Sequence, residues 1–285
     1  EVDDVVRELR DSPNSFSKQK ELLKLLRTSK IRRSDLVQEF GTKMLAKKSR
    51  LGSDVWIVIE QVLLARLDVG DIEGAKNLYF DLKNQFGKES IRVQTLLGMM
   101  YEANGDLEKA RQFYTSFHSK QPMNQLIYKR RVCVEKALGN WDNAIKLLGK
   151  YLQIHTTDTN AWEELGELHV KQNNFKEASF CYEELVLLEP ENFLYHTALA
   201  EVLYTLGGVD NLVTARNYYS HSLVLNKDQN LRSLYGLHTT ASALANMKNG
   251  KSQENAKLLA WATSAIQGVY KGSDIEETVN SALTS

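Results

Sequence analysis

At 285 residues, with 42% apolar and 25% charged residues and only three prolines, the chain has the composition of a folded soluble protein without a long disordered tract. Its formal net charge is zero, so it lacks the surplus of Lys and Arg with which a dedicated nucleic-acid binder displaces counterions from phosphates. The longest apolar stretch, Val55 to Ala65, is broken by Glu60 and Gln61 and falls short of the roughly twenty residues of a membrane-spanning helix.

In chain order, residues 1–55 are read as a basic, helical N-terminal cap. Residues 18–50 carry eleven Lys/Arg against three Asp/Glu. Leu36, Val37, Phe40 and Met44 recur at helical spacing and predict one apolar face. A solvated capping helix is preferred here over a helix lying against an anionic membrane leaflet.

From residue 56 the chain repeats. Gly70, Gly105, Gly139, Asn173 and Gly207 are spaced 35, 34, 34 and 34 residues apart, each a residue that accepts the left-handed backbone of a helix C-terminus. About five residues beyond each turn stands Ala75, Ala110, Ala144, Ala178 or Ala215, the last after a three-residue insertion. Four residues further on come Tyr79, Tyr114, Leu148, Tyr182 and Tyr219, one helical turn away on the same face. Small and large residues therefore alternate where two helices cross. Trp162, Leu165, Gly166, Ala178, Tyr182 and Pro190 fall at the offsets of a tetratricopeptide repeat, and Leu97, Gly98, Tyr101, Ala110, Tyr114 and Pro122 repeat them.

The predicted fold is all-α, a tetratricopeptide-repeat solenoid in which helix-turn-helix units wind into a right-handed superhelix. The array is read as 56–270, with units 56–90, 91–124, 125–158, 159–192 and 193–229 and a degenerate sixth in 230–270. Residues 271–285 follow as a C-terminal helix or tail, in which Ser273 and Glu276 suggest a capping box and Ile275, Val279 and Leu283 an apolar edge.

An enzyme is not expected. Repeats that bury their apolar faces only by stacking commit most of the chain to a scaffold. The six histidines never pair at metal-ligand spacing, and no GxSxG, GxxxxGK or paired-cysteine motif occurs, so no cofactor is expected. Cys133 and Cys181 lie in different repeats, and Cys133 reads as a small buried or half-buried residue rather than a nucleophile. With no glycosylation sequon present, they favour a reducing cytosolic setting.

Several segments go beyond the repeat pattern: Asp54-Val55-Trp56-Ile57 with Glu60-Gln61-Val62, Ala161-Trp162 with Glu164-Leu165, and Ala178 with Phe180-Cys181 and Glu183-Glu184-Leu185. Ala200-Glu201-Val202, Gly207-Gly208, Leu225-Asn226, Arg232 and Gly236-Leu237 extend them. Across roughly residues 51–265 the chain resembles the family of subunit 2 of the endoplasmic reticulum membrane protein complex, an insertase for transmembrane segments. The resemblance implies a non-catalytic scaffold on the cytoplasmic face of that membrane. It would hold cytosolic parts of subunits 3 and 5 and the soluble subunit 8 or 9 where present, and attach through these partners. The alternative is a cytosolic co-chaperone or adaptor that binds peptide tails. The basic clamp such a protein needs is missing, because the corresponding positions hold Thr95, Met99, Lys129, Cys133, Glu163 and Glu167.

At 100° per residue, positions 2, 5, 9 and 12 of each first helix should point away from the core and line a concave groove. They read Arg92, Thr95, Met99, Glu102; Leu126, Lys129, Cys133, Lys136; Asn160, Glu163, Glu167, Val170; and Leu194, Thr197, Glu201, Tyr204. Arg92, Lys129, Lys136, Glu163, Glu167, Glu201 and Tyr204 are the candidate partner-binding residues, with Glu163, Glu167 and Glu201 forming one acidic strip.

Overall fold

Six of the described helices start at a side-chain cap, and most helix hairpins turn on a residue of positive φ. The computed structural model describes residues 2–226, 230–247, 250 and 252–284. Among these residues there are sixteen α-helices and no strands. Internal contacts divide the chain into two units, 1–140 and 141–285.

The first unit contains α1 (Val2–Asp11), α2 (Phe16–Thr28), α3 (Ser34–Leu45), α4 (Val55–Asp68), α5 (Ile72–Phe86), α6 (Ile91–Ala103), α7 (Leu107–Lys120) and α8 (Gln125–Ala137). The second contains α9 (Trp141–Leu152), α10 (Thr159–Lys171), α11 (Phe175–Leu188), α12 (Phe193–Leu206), α13 (Val209–Leu225), α14 (Leu231–Asn246), α15 (Gln253–Tyr270) and α16 (Glu276–Thr284). Asp71, Asn124, Asp158, Asn192, Asn230 and Ser252 each accept a backbone N–H in the first turn of the helix they precede. Such caps contribute about 1 kcal/mol each.

The turns within pairs share one geometry. Gly70, Gly105, Gly139 and Asn173 have φ of 80°, 78°, 76° and 58°. The next residue donates its N–H five residues back, as in Asp106 to Tyr101 at 3.0 Å and Asn174 to His169 at 2.9 Å. This bond satisfies carbonyls that a helix end would otherwise leave open. The same turn joins α2 to α3, where Lys30 takes the left-handed position with φ 53° and Ile31 donates to Leu26 at 3.1 Å. The hairpin α2–α3 thus has the turn of a repeat with lysine in the glycine's place. Gly207 is also left-handed, but Gly208 follows with φ 85° and α13 begins at once.

Ala75, Ala110, Ala144, Ala178 and Ala215 are all completely buried, and Tyr79, Tyr114, Leu148, Tyr182 and Tyr219 are buried one turn beyond them. In the first unit Leu36, Val37, Phe40 and Met44 join Val58, Ile59, Val62 and Leu63 in a continuous apolar core. The expected apolar face of α3 is therefore the surface on which α4 packs. At the C-terminus the expected capping box does not form. Glu276 accepts from Gly272 N at 2.6 Å and the Ser273 hydroxyl donates to Tyr270 O at 2.7 Å, so α16 starts at Glu276 rather than after Ser273.

Gly98 lies under the Tyr114 ring, where an added Cβ would come within 2.3 Å of the ring carbons, whereas at Gly166 the nearest atom of Tyr182 would be 3.1 Å away. Gly98→Ala should therefore destabilise the protein by about 1–3 kcal/mol through overpacking, and Gly166→Ala by clearly less. Urea denaturation of the two variants checks the order. Equal midpoints would mean that the Tyr114 ring moves aside freely.

Candidate partner-binding surfaces

Two surfaces are in question, one on the first helices α2, α4, α6 and α8 of the first unit and one on α10, α12 and α14 of the second. Successive first helices are tied laterally by side chains. Gln61 of α4 donates to Leu23 O of α2 at 3.1 Å and accepts from Arg27 at 2.6 Å. Arg92 of α6 pairs with Glu60 and donates to Trp56 O at 3.3 Å, with its guanidinium 5.1 Å from the Phe86 ring centre. Arg130 of α8 reaches Glu102 of α6 at 3.4 Å. In the second unit Arg232 of α14 grips Glu201 of α12 with two nitrogens. An arginine of one first helix thus meets an acid of the preceding one in three places, and much of the charge read as groove lining binds repeat to repeat.

The candidate residues divide accordingly. Arg92 and Glu201 are engaged within the chain, and the Glu201 bond holds the Arg232 guanidinium above its ordinary pKa. Glu163 is half-buried and Glu167 exposed, and neither has an ion-pair or hydrogen-bond partner among the described residues. Lys129 and Lys136 are half-buried, and Tyr204 is 40% exposed. Tyr182 reports how the acids are arranged. Burial first, then the charges of Glu167, Glu163, Cys181 and Glu201, push its hydroxyl up to about 12. The charges of all three acids thus add to the effect of burial on this one hydroxyl.

Position 5 needs correction. Thr95 is 6% and Thr197 2% exposed, so neither lines an open groove. Thr95 bonds to Ile91 O at 2.8 Å, while Thr197 lies 2.8 Å from the Ser222 hydroxyl and 2.6 Å from that of Ser233. This position faces the seam between stacked repeats. A threonine is enclosed there, while the longer Lys129 and Glu163 are half-buried.

Burial pushes the Cys181 thiol up to about 12, whereas Cys133, expected to be buried or half-buried, is exposed. His169 is half-buried, and loss of solvent lowers its pKa. The sequence reading missed the surface of α2 and its turn. Arg27 and Gln61, and likewise Ser34 and Asp68, bond across 34 residues, which is the repeat length itself. That spacing was the available signal.

Comparison with known proteins agrees with this architecture. Residues 81–223 match the family model described as the EMC2 TPR-like repeat domain. The ER membrane protein complex subunit 2 of Xenopus tropicalis is 36% identical over 253 residues, covering 87% of this chain and 84% of that protein. The subunit of the same name from Dictyostelium discoideum is 34% identical over 286 residues, covering 95% and 89%. Among solved structures, the C-terminal part of a TPR repeat-containing protein from Cytophaga hutchinsonii superposes with a TM-score of 0.62 at 13% identity, over 93% of this chain and 99% of that one, a likeness of fold alone. With the family model matched over residues 81–223 and 34–36% identity sustained over 84–89% of these relatives' length, the chain belongs to the family of ER membrane protein complex subunit 2.

Proposed function

We propose that this chain is the non-catalytic scaffold of its membrane complex, held at the cytoplasmic face of the endoplasmic reticulum by partner subunits and supporting the insertion of transmembrane segments. The observation that carries the reading is the family identity across 87% of the chain, set on a fold whose described helices include none long and apolar enough to cross a membrane. The repeat array is proposed to span 56–270, with 1–55 before it and 271–285 after it. Its partners are proposed to be cytosolic parts of subunits 3 and 5 and the soluble subunit 8 or 9. The co-chaperone alternative gains no residue, since Thr95 is buried and Glu163 and Glu167 carry the wrong charge for an acidic tail.

Within this reading Glu163 and Glu167 receive a basic or amide-rich segment, and Tyr204 on the same unit and, separately, Lys129, Lys136 and Arg92 on the other are proposed partner contacts. Glu201 is held by Arg232 and is not counted among the receiving carboxylates. Charge-assisted contacts of this kind contribute about 1.5–3 kcal/mol each. Glu163→Lys with Glu167→Lys should therefore weaken assembly at least about tenfold while shifting unfolding by no more than about 0.5 kcal/mol. The measurement is co-purification of the membrane complex with the tagged double variant, alongside its melting curve. Full recovery of the complex by a normally folded variant would reduce the strip to a solvated face.

A further inference from the structure

A cleft of about 570 Å³ opens on the first unit between the α2–α3 turn and helices α4, α6 and α8. That volume lies within the range of about 300–1,000 Å³ usual for ligand clefts. Five cations line it, Arg27, Lys30, Arg32, Arg33 and Arg130, against only two carboxylates, Asp68 and Glu102. Both carboxylates are already occupied: Asp68 by Arg32 and Ser34, and Glu102 by Arg130 and the Tyr114 hydroxyl. Arg33 is paired with Asp35 outside the lining, so two positive charges remain over. Arg27 is half-buried with the neutral Gln61 as its hydrogen-bond partner, and loss of solvent lowers its pKa. The Lys30 ammonium has neither ion pair nor hydrogen bond among the described residues.

Lys30 also occupies a backbone position that disfavours it. Its φ of 53° is the left-handed turn conformation for which the later repeats use Gly70, Gly105, Gly139 and Asn173. A side chain kept at a strained position where glycine would fit freely points to a use for that side chain. Ile31, 43% exposed, sits at the same rim, and Leu64 and Met99 supply apolar wall between the charges.

We infer that this cleft receives an acidic segment of a partner protein, a carboxylate held by Arg27 and Lys30 and a neighbouring apolar side chain set against Ile31, Leu64 and Met99. A folded-in cleft with two carboxylates in its lining suits a peptide better than a flat anionic bilayer or a phosphate backbone, which need a continuous excess of cations. The inference rests on the scaffold reading and deepens it by giving the chemistry of one bound segment.

The test is a fluorescence-anisotropy titration of the full chain with a fluorescein-labelled synthetic peptide of alternating aspartate and leucine. The same peptide with lysine for aspartate is the control, and phosphatidylserine vesicles are the competitor. The acidic peptide alone should bind saturably, and its affinity should fall about tenfold, the worth of one charge-assisted contact, in Arg27→Gln and in Lys30→Gly. Lys30→Gly guards against misfolding, because glycine relaxes the turn and should hold or raise the melting temperature while affinity falls. No saturable binding, equal binding of the two peptides, or unchanged affinity in both variants would overturn the inference. Displacement of the peptide by the vesicles would overturn it too, and assign the cleft to a lipid surface. Co-purification of the membrane complex with the same variants reads the scaffold function separately, so a failed titration beside an intact complex counts against the cleft alone.

Discussion

Ala110→Arg should destabilise the protein by more than about 4 kcal/mol. Ala110 is completely buried against Tyr114, Phe117, Ile127 and Val134, where α7 meets its neighbours. Overpacking a closed core costs about 1–3 kcal/mol, and an unpaired guanidinium there adds several more. Because repeat units lean on one another, the loss should spread beyond α7 into α6 and α8. Urea denaturation gives the magnitude and hydrogen exchange the spread. An unchanged midpoint, or exchange confined to one helix, would show that residue 110 does not sit at a shared helix crossing. Ala178→Arg should behave alike in the second unit, where Ala178 is equally enclosed.

Ser222→Val is expected to cost about 3 kcal/mol or more. The Ser222 side chain is fully buried and its hydroxyl donates to Phe193 O at 2.9 Å and accepts from Asn230 Nδ2 at 2.7 Å, with Thr197 and Ser233 at 2.8 and 3.0 Å. One hydroxyl has a single proton and two acceptor sites, so this group uses its full capacity. Valine adds volume and leaves the buried amide of Asn230 short of its best acceptor, a loss of about 1–3 kcal/mol on top of the packing strain. Ser222→Ala, which removes the hydroxyl without adding bulk, should cost less. Urea midpoints for the pair check this, and equal, small losses would mean that the polar cluster contributes little to joining α12, α13 and α14.

The sequence made the repeats legible where local chemistry is enough. A left-handed turn needs Gly or Asn, and a close helix crossing needs Ala, so Gly105 with Ala110 and Asn173 with Ala178 declare themselves without knowledge of any partner residue. The hairpin α2–α3 escaped because Lys30 fills the turn, and a lysine does not advertise positive φ. Thr95 and Thr197 were assigned to the groove because a helical wheel describes one helix and omits the neighbour stacked beside it. The same limit hid the Arg92–Glu60 and Arg232–Glu201 pairs, which depend on the lateral register of successive repeats. For the candidate strip, the helical wheel names Glu163, Glu167 and Glu201 but not the division of labour among them. Nothing local distinguishes the paired Glu201 from Glu163 and Glu167. The Ser222 cluster lay further out of reach, since it joins Thr197, Ser222, Asn230 and Ser233 across as many as 36 residues.

The glycine beneath Tyr114 bears on how such a chain can change over time. Alanine at Gly98 is blocked while the ring is present, and a smaller residue at Tyr114 leaves a void while glycine stays. Each single step is unfavourable, yet the two together approach volume balance, so the positions form a ratchet that single substitutions cannot turn. Tyr114 is bound in turn through its hydroxyl to Glu102, and Glu102 to Arg130 on the next first helix. A neutral drift at any of these four sites is therefore held back by the other three, and descendants of this chain should inherit them as a block.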